Sequence, residues 1–269
     1  MKPVLYIWIS FLVLSSCSEG IGWELKYQEA DLLVVEGKIT NEAGPHEIRL
    51  SLPLYEMNGT PEPVSGAEVE IFDGQTVHVF SEDPAREGSY LGPPDFSGEV
   101  GRFYQLRVRQ GSRRISAVTN MVEVTPLKKP FIYLAQEDPP LLGAVIPDSE
   151  VPAIVRWELD WSHVPGYGDE PDSATHAVVY HYTLNGVDVN KLFKPPQEQI
   201  RFPPGTRVFI EKESVNAWYG EFLRGVLSET DWRGGMFDVL PGNARTNMQG
   251  EAIGFFTAAE VIRDTIVIR

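Results

Sequence analysis

Ala67-Glu68-Val69-Glu70-Ile71-Phe72, followed at once by Asp73-Gly74, is the stretch that decides the fold. Apolar and polar side chains alternate along it, and a period of two marks a strand with one buried and one solvated face. Asp-Gly is a hairpin turn signal, and Val77-His78-Val79-Phe80 follows as the returning strand.

The same grammar extends in both directions. Upstream, Leu32-Leu33-Val34-Val35-Glu36-Gly37-Lys38-Ile39 reads as a strand closed by Asn41-Glu42-Ala43-Gly44-Pro45, and Glu47-Ile48-Arg49-Leu50-Ser51-Leu52 alternates again. Downstream, Phe103-Tyr104-Gln105-Leu106-Arg107-Val108 and Arg114-Ile115-Ser116-Ala117-Val118 flank a turn at Gln110-Gly111. About seven short strands in roughly 100 residues, with turns at regular spacing, predict an antiparallel β-sandwich over 28–125.

Thr125-Pro126-Leu127-Lys128-Lys129-Pro130 reads as a joint, with a β-rich C-terminal domain over 126–269. Strands are expected at Phe131–Ala135, Ile154–Trp161, Ala177–Leu184, Thr206–Ile210, Gly254–Thr257 and Thr265–Ile268. In the second of these Trp157, Leu159 and Trp161 share one face, and Glu158 and Asp160 the other. One helix is expected near 214–231, capped by Ser214, with Val215, Trp218, Phe222, Leu223 and Val226 as its apolar stripe and glycines 234 and 235 ending it. The fold class is mostly β with a single substantial helix.

The chain starts Met1-Lys2-Pro3, runs apolar from Val4 to Leu14, and reaches Ser15-Ser16-Cys17. A basic start, a short apolar core and small residues before a cleavage point form a secretory signal over 1–16. The apolar run is too short for a bilayer, which needs ~20 residues. Cys17 is the only cysteine, and its place makes the segment resemble a bacterial lipobox, in which the thiol is acylated and becomes the new N-terminus. Residues 17–27 then form a tether. One acyl chain holds a protein to a membrane only marginally, at about 0.8 kcal/mol per buried methylene. Several chains on one residue make the anchor effectively permanent.

Of 269 residues, 42% are hydrophobic and 11% aromatic, enough for real cores. The formal net charge of -15 makes nucleic acid and anionic membrane poor partners, because counterion release needs a basic patch. With its single thiol acylated, the mature chain has no cysteine for disulfides, thiol catalysis or metal binding.

Several stretches, in order, resemble a known family: Leu33 to Asn41, Pro63 to Ile71, Gly88-Ser89-Tyr90, Gly101 to Val108, Phe237 through Asn243, Thr246-Asn247 and Gly254-Phe255-Phe256. Behind a lipobox, this set resembles a Bacteroidetes outer-membrane lipoprotein family classed as a domain of unknown function (number forty-two forty-nine). The resemblance implies an N-terminal sandwich similar to transthyretin or carboxypeptidase-regulatory modules, and a place beside a TonB-dependent transporter. It carries over no catalytic residue. Surface-exposed lipoproteins of that phylum usually carry acidic residues right after the lipidated cysteine. Here only Glu19 is near, so the periplasmic and extracellular faces both stay open.

Little in the sequence points to catalysis. Gly66 and Gly88 precede strands, where a turn needs positive φ. The histidines at 46, 78, 163, 176 and 181 are scattered. His176 and His181 fall on opposite faces of one strand and cannot share a metal. No Gly-x-Ser-x-Gly elbow or His-Glu-x-x-His helix occurs. The loop with Asp169, Glu170 and Asp172 has carboxylates for calcium but not the spacing of a calcium loop, so it reads as solvated. No cofactor is expected. Trp157, Trp161, Trp218, Tyr219 and Trp232 are candidates for a stacking platform. Trp157, Trp161 and Trp218 lie on apolar faces and read as core, which leaves Tyr219 and Trp232 as candidate ligand-binding residues.

The expectation is a non-enzymatic outer-membrane lipoprotein that assists a TonB-dependent transporter by binding cargo or docking on the barrel. A structural or adhesive envelope protein, and a glycan or peptide hydrolase, are the alternatives. An exposed aromatic patch would favour cargo binding.

Overall fold

A computed structural model describes residues 32–54, 59–135, 140–184, 200–229 and 244–269. Cys17 with the expected signal and tether, Trp232, and the motif over 237–243 lie outside the described residues.

The chain runs through β1 (Leu33–Thr40), β2 (Glu47–Ser51), β3 (Glu68–Phe72), β4 (Val77–Glu82), β5 (Ser89–Leu91), β6 (Phe103–Gln110) and β7 (Arg113–Asn120). It continues through β8 (Phe131–Leu134), β9 (Leu142–Val145), β10 (Ala153–Asp160), a single turn α1 (Asp172–Thr175), β11 (His176–Thr183) and β12 (Arg207–Ser214). The helix α2 (Ala217–Glu229) follows, then β13 (Met248–Gln249), β14 (Ala252–Ala259) and β15 (Val261–Val267).

Strands β1–β7, β13 and β14 form a nine-stranded sheet in the order β13-β7-β6-β3-β4-β5-β2-β1-β14. It turns on β4, which pairs with β3 through Val77–Phe80 and with β5 through Ser81 and Glu82. The two halves close over one core, where Leu33, Val35, Ile48 and Leu50 meet Val69, Ile71, Leu106 and Val108. The expected period-two alternation is what sorts these residues: in β3, Val69 and Ile71 are buried and Glu68 is exposed.

Two features depart from the expected antiparallel module confined to 28–125. The pairing of β1 with β14 is parallel, Leu33 opposite Ala252 through Thr40 opposite Ala259. That sheet also takes β13 and β14 from beyond residue 126. A parallel neighbour of β1 requires a long crossover, and here the crossover is most of the chain. Residues from Leu32 to Arg269 form one compact unit.

The second sheet has the order β11-β10-β12-β15. Trp157, Leu159 and Trp161 are buried on one of its faces, as their alternation predicts. The β8–β9 hairpin contributes Leu142, Ala144 and Ile132 to the same cluster. Only Glu260 separates β14 from β15, so the chain switches sheets there. Its backbone N–H donates to the Ser214 hydroxyl (2.9 Å), its carbonyl accepts from the Ser214 N–H (2.9 Å), and its carboxylate accepts from the Val124 N–H (2.6 Å). The expected joint is pinned as well: the buried Lys212 ammonium donates to the Thr125 hydroxyl (2.8 Å) and the Pro126 carbonyl (3.1 Å).

The quoted motifs turn out to be fastenings. The Tyr90 hydroxyl donates to the Val64 carbonyl and accepts from the Ala67 N–H, both at 3.0 Å. The Glu82 carboxylate accepts from the Gly66 N–H (2.9 Å) and the Gly88 N–H (3.0 Å). Both glycines have the expected positive φ, 73° and 72°. The Asn41 side chain brackets Val261, accepting from its N–H (2.8 Å) and donating to its carbonyl (3.3 Å).

Candidate functional site

Helix α2 is placed by Asn216, not by Ser214. Ser214 is the last residue of β12 and is engaged with Glu260, so the helix starts later than expected. Asn216 is buried; its side-chain oxygen accepts from the Tyr219 N–H at 2.9 Å, an N-cap bond. Its amide donates to the Thr119 hydroxyl and the Asn120 carbonyl, each at 2.9 Å, which fastens the helix start to the end of β7.

The apolar stripe is also rotated from the expected one. Trp218, expected in the core, is 50% exposed. Leu227 is buried, and Leu223 and Tyr219 pack with Val215, Ile154 and Leu184 toward the second sheet. A spacing of i, i+4, i+8 from 219 gives that face. The competing 218, 222, 226 series fits the sequence equally well, and only the position of the two sheets chooses between them.

On its other side the helix meets the outer face of the first sheet. Phe222 stacks on Phe255 of β14 with ring centroids 4.8 Å apart, and Tyr219 lies 5.2 Å from the same ring. Phe255 reaches this position because β14 runs beside β1 with Gly254 at φ +100°. A Cβ at Gly254 would run into the Val35 carbonyl oxygen, so only glycine permits this approach.

Phe255 divides two cavities. The first, about 340 Å³, is lined by Tyr219 and Phe222 from the helix, Thr257 from β14, and the outward residues Glu36, Lys38, Glu47 and Arg49 of β1 and β2. The second, about 500 Å³, is lined by Trp218 and Glu221 from the helix, with Arg245, Asn247 and Gln249 opposite. The helix therefore offers 219 and 222 to one cavity and 218 and 221 to the other, each a pair three residues apart.

Most charges in the cavity walls are paired. Lys38 bonds Glu213 at 2.6 Å, Arg49 lies 3.5 Å from Glu47, and Arg245 lies 3.2 Å from Glu221. The Tyr219 phenol has its pKa raised by burial, reinforced by the Glu213 carboxylate and Tyr182, so it stays a proton donor at neutral pH. Its hydroxyl has no hydrogen-bond partner among the described residues. The Thr257 hydroxyl is buried and equally unpaired.

Tyr219, singled out from sequence, thus lines a cavity, while Trp232 lies outside the described residues. Trp218 and Phe255 are the site residues that sequence reasoning missed. A tryptophan beside Asn216-Ala217 at a helix start was the available signal for Trp218; for Phe255 it was the adjacent pair Phe255-Phe256 in one strand, which must face opposite sides. The histidines stay dispersed: His78 bonds Asp73 at 2.9 Å, His181 bonds Asp148 at 2.8 Å, and His163 faces the Gly205 carbonyl at 3.1 Å. Among the described residues no group of three His, Cys, Asp or Glu is placed to hold a metal ion. No helix among them is long and apolar enough to cross a membrane.

Residues 19–141 match the model of the family described as Domain of unknown function (DUF4249), the family that the sequence motifs resemble. The match ends before β9, so α2 and β14, which supply the aromatic groups of the cavities, lie beyond it. No curated protein matches the chain.

Proposed function

We propose that this chain is a non-enzymatic, lipid-anchored protein of the bacterial outer membrane that binds a ligand between α2 and the first sheet and serves a TonB-dependent transporter. The observation that carries the binding reading is the pair of cavities meeting at Phe255. Rings, unpaired hydroxyls and paired charges converge there, as they do where a small ligand is held and oriented. The half-exposed Trp218 at the rim of the second cavity supports the cargo-binding reading.

The anchor and the partner rest on the sequence. Cys17 behind a short apolar run supports lipidation, and the resemblance supports a transporter as neighbour. Confinement to a membrane plane raises the effective concentration of the two proteins without any tight interface. Two measurements test this. Metabolic labelling with a clickable palmitate analogue should mark the chain and fail on Cys17→Ser. Cross-linking and purification from native membranes should recover a TonB-dependent barrel, and its reproducible absence would overturn the partnership.

A further inference from the structure

From the chemistry of the two cavities we infer that the ligand is a neutral oligosaccharide, with one ring on Trp218 and a neighbouring one against Tyr219 and Thr257. This rests on the binding reading above and adds the class of ligand.

Charge is the first argument. The chain carries a net -15, yet the cavity walls hold Glu36, Glu47 and Glu221 against Lys38, Arg49 and Arg245. Lys38 is engaged with Glu213, Arg49 with Glu47 and Arg245 with Glu221, so the cations of the walls are already paired within the protein. The site neither draws a cation nor compensates an anion, and electrostatic complementarity therefore favours an uncharged ligand.

The second argument is the pairing of flat rings with free hydroxyls. A pyranose presents C–H groups on its faces and hydroxyls around its rim. The exposed Trp218 indole suits the first. The Tyr219 donor and the Thr257 hydroxyl, which can donate and accept, suit the second. Thr257 is among the residues that line the first cavity, and its buried hydroxyl has no partner among the described residues.

The third argument separates a sugar from an extended peptide. β14 ends its sheet, and such an edge ordinarily offers a ladder for strand addition. Here the ladder is already occupied by side chains. Asn247 donates to the Phe256 carbonyl (2.7 Å) and accepts from its N–H (3.1 Å), while the Thr246 hydroxyl donates to the Gly254 carbonyl (2.6 Å). A peptide would have to displace these side chains to pair with the middle of this edge.

The test is isothermal titration of the full-length chain in a sugar-free zwitterionic detergent. The probes are malto-, cello-, xylo- and manno-hexaose, with hexagalacturonate and hexa-alanine as anionic and peptide counterparts. At least one neutral hexaose should bind, and its affinity should fall about tenfold in Trp218→Ala, the loss of one aromatic stacking contact. Tyr219→Phe should weaken the same sugar while its thermal unfolding stays that of the parent, which excludes misfolding as the cause. Binding of hexagalacturonate alone, weakened by Trp218→Ala, would overturn the neutral character of the ligand, and binding of hexa-alanine alone would overturn the sugar class; either would keep the groove. Failure of every neutral hexaose, or binding indifferent to both substitutions, would overturn the inference, whether or not a barrel still copurifies.

Discussion

Thr257→Val should make the protein more stable and a poorer binder at once. The threonine is 3% exposed, and its hydroxyl is buried without a hydrogen-bond partner. A buried polar group left unsatisfied costs about 1–3 kcal/mol of desolvation that nothing in the fold returns. Valine keeps the branched shape, fits the extended backbone at least as well, and removes the stranded oxygen. The threonine faces Lys38 across the β1–β14 pairing, away from Phe256 and Ala258 on the core side, so the main core is untouched. A gain of about 1 kcal/mol follows, or roughly 2–4 °C in a unit of this size. Urea unfolding followed by tryptophan fluorescence at neutral pH measures it, with an unchanged slope showing that the same surface is exposed. A loss of stability on Thr257→Val would show that the hydroxyl is satisfied in the free protein, and the reasoning for its role would fail with it.

Other outcomes follow from the same contacts. Asn216→Ala removes the cap and leaves the Thr119 hydroxyl and Asn120 carbonyl short of a donor, so chemical denaturation should show a loss of about 2–4 kcal/mol. Gly254→Ala forces a side chain into a positive-φ position against the Val35 carbonyl, and a drop of about 3 kcal/mol or more in unfolding free energy should accompany loss of the cavities. Trp218→Ala, at a half-exposed position, should shift stability by no more than about 0.5 kcal/mol, measured by the same unfolding experiment. Asp73 gives an acid limb: burial raises its carboxyl pKa, but hydrogen bonds from His78 and from the Thr76 and Gln75 N–H groups outweigh this and bring it to about 2. Its folded pKa lies below the ordinary aspartate value of 3.8, so its stabilisation is present above that value and lost as pH falls toward about 2. In Asp73→Asn the pH dependence of unfolding should flatten within that window.

Much of the first sheet was legible because alternation is local. Val69 and Ile71, or Trp157 and Leu159, carry their burial in the i, i+2 pattern, whichever strands come to lie beside them. The motifs were legible as motifs but not as fastenings. Nothing near Tyr90 announces that its hydroxyl ties Val64 to Ala67, and Asn41 meets Val261 from across most of the chain.

By itself the sequence determined the β class, six of the seven N-terminal strands, the existence of a helix after β12, the acidity and the lipobox-like start, because each of these is written in neighbouring residues or in bulk composition. Only the tertiary structure decided that β14 crosses back to lie parallel to β1, that Asn216 sets the start of α2, and that the helix turns Trp218 outward and Tyr219 toward Phe255. Those outcomes depend on contacts between residues far apart in the chain. A helix with two plausible apolar faces takes its rotation from the surfaces it is pressed between, and here those surfaces are two sheets joined through Glu260.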